Sequence, residues 1–317
     1  MNSFENKVFC VIGLGSHAKN KLIPSIQNIN NHKVYSVTRK TTNKIKGIKN
    51  FLNIESAFKN LKNEVIYVIS TPPNSHYKII HFLISKKTNI FIEKPIVTKL
   101  NHIKKIVNNS SKNNKFLYEI FPYKLSRLYK CFIKDWTLNK NIIKQVNINF
   151  LVPSIPKNSF RKSKLISNSI LFDMGCYPIG LLVDLGFLIK NPKLKIFYPK
   201  KLIKEYMTIK FSENNINISI KIGINKEYKN NINFITLKNE KHLYDYFFYA
   251  LPKKKSIKVL QDDKINHTKI INDINLFTKL FCKKLNFLNY YKKKRHNNMI
   301  CTTQILENLS LKAKKIR

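Results

Sequence analysis

The stretch "KVFCVIGLGSHA" (Lys7–Ala18) decides the fold. An apolar run over Lys7–Leu14 is halted by glycines, and helical periodicity then takes over, with Leu22, Ile23 and Ile26 on one face. Short, continuous apolar runs read as strands buried on both faces, the condition of a parallel sheet. Gly13-x-Gly15-x-x-Ala18 stands at the strand-to-helix junction. The first glycine allows a tight turn, the second lets backbone approach a pyrophosphate, and a small third residue lets helix and strand pack closely. Ser16 and His17 lie at the new helix's N-terminus, where anions are favoured. Pro24 removes a backbone donor from that helix and predicts a kink.

The same rhythm continues outward. "KVYSVTR", "EVIYVIS", "NIFIEKP" and "KFLYEI" read as strands, and "IESAFKNL", "SHYKIIHFLISKK" and "LNHIKKIVNNS" as the helices between them. Alternating strand and helix imply a doubly wound parallel sheet. We place that dinucleotide-binding Rossmann domain at residues 1–121. Residues 122–317 lose the rhythm. Alternating strands such as "INISIKIGI" and "NNINFITLK" precede mostly helical segments, as expected of an α+β domain with a mostly antiparallel, open-faced sheet. The fold class is therefore α/β followed by α+β. An uncovered sheet face that is apolar marks an interaction site, so a homodimer or homotetramer built on that sheet is expected.

Composition sets outer limits. The 317 residues suffice for two cores. Lys+Arg number 59 against 17 Asp+Glu, a net charge of +42. A nucleic-acid or anionic-membrane binder would carry such charge. The lysines, however, are spread along the chain and rise together with Asn and Ile, which share A/T-rich codons; no nucleic-acid or membrane partner is expected. The five cysteines are scattered and form no Cys-x-x-Cys pair, which points away from disulfides and zinc and toward a reducing cytoplasm. The histidines show no metal-ligand spacing, so no metal site is expected. "SILFDMGCYPIGLLVDLGFLI" (Ser169–Ile189) has spanning length but contains Asp173, Pro178 and Asp184. A charge at the bilayer centre costs about 2.5–3.5 kcal/mol on insertion scales, so a buried helix beside an active site is the better reading.

Ligands of open α/β sheets gather at the C-terminal ends of the strands. The second strand ends at Thr38, Arg39 and Lys40, a hydroxyl and two cations where NAD proteins place an acid for the ribose. That replacement suits a 2′-phosphate and therefore NADP(H), with NAD(H) as the alternative. Thr71, Pro72, Asn74 and His76 of "VISTPPNSHY" end the next apolar strand, and Glu93 and Lys94 the one after. Burying a Glu–Lys pair is expensive unless it is paired or used. In the second half, Asp173 and Tyr177 of "LFDMGCYPI" are four residues apart, one helical turn of about 5.4 Å.

Taken in order, "GLGSHA", "STPPNSHY", "IEKPIVT" and "SFRKS…LFDMGCYPIGLLVDLG" resemble the glucose-fructose oxidoreductase/inositol dehydrogenase (Gfo/Idh/MocA) family over most of the chain. The resemblance implies that the Glu-Lys-Pro motif falls on Glu93, Lys94 and Pro95, with the lysine near the nicotinamide and the substrate oxygen. It implies that the family's Asp-x-Gly-x-(His/Tyr) motif falls on Asp173, Gly175 and Tyr177. The tyrosine form, preceded by "SFR" (Phe160, Arg161), looks nearest the branch of sugar-nucleotide 3-ketoreductases and dihydrodiol dehydrogenases. The catalytic residues are then Lys94, Tyr177 and Asp173. The cofactor would meet Gly13, Gly15, Ser16, His17, Ala18, Thr38, Arg39, Lys40, Thr71, Pro72, Asn74, His76, Glu93, Lys94 and Arg161. The expected partner is a sugar-like substrate.

The chain departs from the family just before the aspartate, where "SNSI" (Ser167–Ile170) replaces a glycine-rich stretch. That substitution motivates a second reading, a non-catalytic cofactor-binding member. A basic nucleic-acid binder is a third, and it leaves the ordered motifs unexplained.

Overall fold

The computed structural model describes residues 7–29, 32–39, 45–61, 64–152, 170–197, 206–224, 229–250, 254–283 and 292–316. Lys40, Phe160, Arg161 and 167–169 of "SNSI" lie outside the described residues. The chain divides into two compact units, Met1–Phe121 with Phe277–Ile300, and Pro122–Leu276 with Cys301–Arg317.

In the first unit, β1 (Val8–Ile12), β2 (Lys33–Val37), β3 (Asn50–Phe51), β4 (Val65–Ile69), β5 (Asn89–Glu93) and β6 (Leu117–Ile120) form a parallel sheet in the order β3-β2-β1-β4-β5-β6. The order reverses beside β1, the topological switch point where such sheets bind ligands. Every residue of β4 is buried, which is why these strands read as unbroken apolar runs. Cys10, Tyr67, Ile69, Ile90 and Ile92 join a core with Ile80 and Leu83 of α3 (Pro73–Ser85) and Ile103 and Ile106 of α4 (Leu100–Ser111). On the opposite sheet face Phe9 and Phe91 meet Phe281 of a late helix, Leu276–Phe281, edge-on at 5.5 and 5.4 Å.

The helix after β1 is not uniform. Residues Ala18–Leu22 form a π turn, followed by α1 (Ile23–Gln27) with Pro24 in its first turn. The Ile23 amide reaches back to the Ala18 carbonyl. Pro24 has no N–H for the normal ladder, and the wider turn lies directly before it. Single π turns of this kind are frequent at functional sites.

The second unit holds α5 (Arg127–Asn139), β7 (Ile143–Val152), α6 (Cys176–Asp184) and strands β8 (Lys193–Phe197), β9 (Tyr206–Glu213), β10 (Ile216–Ile224), β11 (Lys229–Thr236), β12 (Glu240–Asp245), β13 (Lys254–Gln261) and β14 (Lys264–Asn272). These strands form one sheet, ordered β14-β13-β12-β11-β7-β10-β9-β8 and antiparallel except between β7 and β10.

Register explains the sheet's two faces. One row reads Ile209, Ile220, Ile148, Ile232, Tyr244, Ile257 across neighbouring strands. α5 packs on this apolar face, with Phe132 edge-on to Tyr244 at 5.2 Å and Trp136 edge-on to Phe234 at 6.2 Å. The adjacent row reads Lys210, Ser219, Asn147, Asn233, Leu243, Lys258. Here Asn147 donates to Asn233 at 3.0 Å and Asn149 to Asn231 at 2.9 Å. The face opposite the helices is thus an amide ladder flanked by lysines. This corrects the expectation of an apolar open face. Alternation of Asn with Ile over 147–149 of β7 and 231–233 of β11 keeps these four amides together on one side.

The long apolar segment near residue 180 is a π turn, Leu171–Gly175, running into α6. α6 ends at Asp184, which pairs with Lys124 at 2.6 Å, and Gly186 then takes φ +95°. Among the described residues no helix is long and apolar enough to cross a membrane.

Candidate active site

The glycine turn after β1 is required by its surroundings. Gly13 has φ +92°, and a Cβ there would lie 2.7 Å from Thr71 Cγ2 and 3.0 Å from the Ser70 carbonyl oxygen. A side chain would be strained by backbone conformation and by contact alike. Its amide donates to the Val37 carbonyl at 3.0 Å, tying the turn to the end of β2. Gly15 differs: a Cβ there meets nothing within 4 Å. Its exposed backbone leaves room for a large anion at the start of the helix, where the amides of the first turn and the helix dipole favour negative charge. Ala18 is fully buried beneath it. The residues therefore fit a pyrophosphate.

His17 projects from this turn to Glu93 at the end of β5, with Nε2 2.9 Å from Oε1. The His17 ring also meets Phe277 edge-on at 5.4 Å. Burial alone would raise the Glu93 carboxyl, but His17, Lys94 and His76 outweigh it and hold the group below the usual glutamate range. Glu93 is therefore a carboxylate at neutral pH. Lys94 follows directly and is partly buried, and the Lys94–Pro95 bond is cis.

At the end of β2, the Thr38 amide donates to Phe51 O at 3.1 Å and its carbonyl accepts from Asn50 at 3.2 Å. Thr38 is held as backbone, and Arg39 beyond it is exposed. At the end of β4, Thr71 Oγ1 accepts from Ser75 at 2.7 Å, while Pro72 and Asn74 are exposed.

His76 is fully buried, with Nε2 2.8 Å from Thr71 O, and with Nδ1 3.0 Å from Pro95 O and 3.2 Å from Ile96 O. Both ring nitrogens thus face backbone carbonyls of the loops after β4 and β5. The reason is helical phase: in α3, His76 falls on the same buried face as Pro73, Ile80, Leu83 and Ile84.

In the second unit, Asp173 lies in the π turn and Tyr177 in the first turn of α6. A wider turn thus separates them from the plain α-helical register read from their spacing. Gly175 between them is set by packing: a Cβ would come 3.0 Å from Ile222 and 3.1 Å from Leu171. The Tyr177 ring is partly buried in an aromatic cluster, 5.1 Å from Phe150, 5.8 Å from Phe248 and 5.9 Å from Tyr123. Tyr123 is fully buried and its hydroxyl lies 3.5 Å from Tyr177 O. Burial, then Asp184, raises its phenol well above the ordinary value, so it stays protonated.

Sequence reasoning missed Glu119, whose carboxylate accepts the Ile96 amide at 2.9 Å. The signal was present: a carboxylate near the end of an apolar strand, the argument already applied to Glu93. It also missed Tyr123, Phe150 and Phe248, which nothing local distinguishes from core aromatics.

Residues 7–121 match the model of an oxidoreductase family with an NAD-binding Rossmann fold. The matched family is Gfo/Idh/MocA, and the match covers this segment. No curated protein sequence matches the chain. Among solved structures, the chain is similar to KijD10, a 3-ketoreductase from Actinomadura kijaniata in complex with NADP and TDP-benzene, with TM-score 0.80, 13% identity and 96% of each chain covered. Structures of that enzyme with a tyrosine changed to phenylalanine, and with a lysine changed to alanine, are similar as well. The chain is also similar to an aldose-aldose oxidoreductase from Caulobacter crescentus complexed with glycerol, with TM-score 0.75, 10% identity and 99% of each chain covered. At such identity these likenesses speak for architecture. The likeness in fold, a Rossmann-like parallel sheet followed by a mostly antiparallel sheet, extends over nearly the whole chain.

Proposed function

We propose that the protein is an NADP(H)-dependent oxidoreductase that interconverts a carbonyl and a secondary alcohol on a sugar or sugar-nucleotide-like substrate. The observation that carries this reading is the rim at the switch point. Gly13 makes the tight turn, Gly15 leaves backbone open for a pyrophosphate, and the Glu93–Lys94 pair ends the strand two places along the same edge.

The bound nicotinamide supplies the hydride, and the chain supplies orientation and electrostatics. Ser16 and His17 at the start of the helix hold the phosphates. Arg39, exposed beyond β2, takes the ribose phosphate. Lys94 holds the substrate oxygen and stabilises its developing charge, as fixed cations do for forming alkoxides. Tyr177 gives the proton in reduction. Asp173 orients the substrate hydroxyl or Lys94. The NADP-bound ketoreductase and the aldose oxidoreductase among the similar structures support a sugar-like substrate.

The test is NADPH oxidation across a panel of keto-sugars and nucleotide-linked keto-sugars. Turnover on at least one supports the proposal. Tight NADPH binding with no turnover across the panel favours the non-catalytic reading that "SNSI" motivates.

A further inference from the structure

Lys94 sits at the start of an irregular loop, and its aim depends on whatever holds Pro95 and Ile96. Two side chains from flanking elements do so. His76, from α3, faces the carbonyl oxygens of Pro95 at 3.0 Å and Ile96 at 3.2 Å through Nδ1. Glu119, from β6, accepts the Ile96 amide at 2.9 Å. The loop's acceptors thus face α3 and its donor faces β6. Through Nε2 the same imidazole reaches Thr71 O at 2.8 Å, and Thr71 is the residue that forces position 13 to be glycine.

We infer that His76 and Glu119 are positioning residues that clamp Pro95–Ile96 between them, fix Lys94 against the cofactor rim, and couple its position to the Thr71 end of the glycine turn. This inference rests on the reading of Lys94 as the group that holds the substrate oxygen.

Hydrogen-bond capacity distinguishes the two side chains. A carbonyl oxygen accepts only, and a neutral imidazole has a single N–H. With acceptors at both ring nitrogens, a neutral His76 bonds one loop and presents a lone pair to the other. A protonated ring bonds both. Burial opposes the charge most and shifts the His76 imidazole below its ordinary value, while the Thr71, Pro95 and Ile96 carbonyls and then Glu93 favour the charge. Glu119 has no such ambiguity, since a carboxylate and a carboxamide oxygen both accept the Ile96 amide. Misplacing a reacting group by about 1 Å costs on the order of 10²-fold in rate, so small loop movements at Lys94 are enough to be measured.

The experiment compares Glu119→Gln, Glu119→Asp, Glu119→Ala and His76→Gln with the wild-type enzyme. It reads kcat and KM for the turned-over substrate, the NADPH dissociation constant and the melting temperature. Glu119→Gln keeps the acceptor at the same reach and is expected to retain most of kcat. Glu119→Asp shortens the reach, and together with Glu119→Ala and His76→Gln it is expected to lower kcat by roughly 10- to 100-fold. NADPH affinity should stay within a few-fold. Glu119→Asp keeps the inference testable if a larger truncation does not fold. Full kcat in Glu119→Asp or Glu119→Ala overturns the inference, as does a loss in Glu119→Gln equal to that in Glu119→Ala. Lys94→Ala separates this from the underlying reading. If Lys94→Ala abolishes turnover while the Glu119 and His76 variants keep it, only the clamp is refuted. If Lys94→Ala is fully active, both fall.

Discussion

His17 Nε2 lies 2.9 Å from Glu93 Oε1, joining the glycine turn after β1 to the end of β5 across 76 residues of sequence. The contact places an imidazole of the glycine turn against the carboxylate that precedes Lys94. With the His17 side chain 45% exposed and that of Glu93 14% exposed, solvent screens much of the attraction. Its value lies in placing charge more than in stability.

Glu93→Gln is therefore expected to change stability by at most about 1 kcal/mol, with a larger relative loss in turnover because Lys94 loses its adjacent carboxylate. Chemical denaturation and steady-state kinetics of the same preparations check this. The pH dependence has a definite sign. Glu93 is depressed in the folded state, so its contribution is complete above the unfolded glutamate value and disappears as pH falls through the lower folded value. Glu93→Gln should flatten that part of the acid limb of the stability curve.

Arg39 stands exposed beyond β2, after Thr38 is fixed to Phe51 and Asn50. NADPH should bind more tightly than NADH, and Arg39→Ala should weaken NADPH selectively. Isothermal titration with both cofactors decides it; equal losses for both would remove the role assigned to Arg39.

Lys94→Ala should lower kcat by about 10²–10³, the cost of removing one donor to a forming oxyanion. Tyr177→Phe should cost about 10²–10⁴, as for general acids. If both act on one oxygen, the double variant should lose less than the product of the two. Retention of the Tyr177 ring leaves its contacts with Phe150 and Phe248 intact, so the melting temperature of Tyr177→Phe should be close to that of the wild type.

Lys255 and Asp273 form an ion pair at 3.1 Å with side chains 0% and 1% exposed. Lys255 also donates to Tyr249 O at 2.9 Å, and Asp273 accepts the Arg127 amide at 2.9 Å. Asp273→Ala strands a buried ammonium and frees the first turn of α5. Removing one partner of such a pair costs about 3–5 kcal/mol. Urea unfolding should show that loss. Replacing both residues with apolar ones of similar size should recover part of it.

The sequence by itself determined the parallel sheet, the glycine turn and the positions of Glu93 and Lys94 at a strand end. These follow from local causes: apolar runs that must be buried on both faces, a positive φ that only glycine adopts freely, and a charged pair that a buried strand does not accept without use. The tertiary structure alone decided which of these groups meet. Nothing in "SHA" announces that His17 will reach Glu93, and nothing in "LYEI" that Glu119 will take the Ile96 amide. Phe277, which closes on the His17 ring, is 260 residues further along the chain. The amide ladder on the second sheet was half legible. Alternating Asn and Ile in β7 and β11 fixed two unlike faces, but only the β7–β11 register set Asn147 against Asn233. Local sterics and burial act within a few residues and can be read in order. Hydrogen bonds between distant segments depend on how the strands are ordered and aligned, and that is settled only when the whole sheet packs.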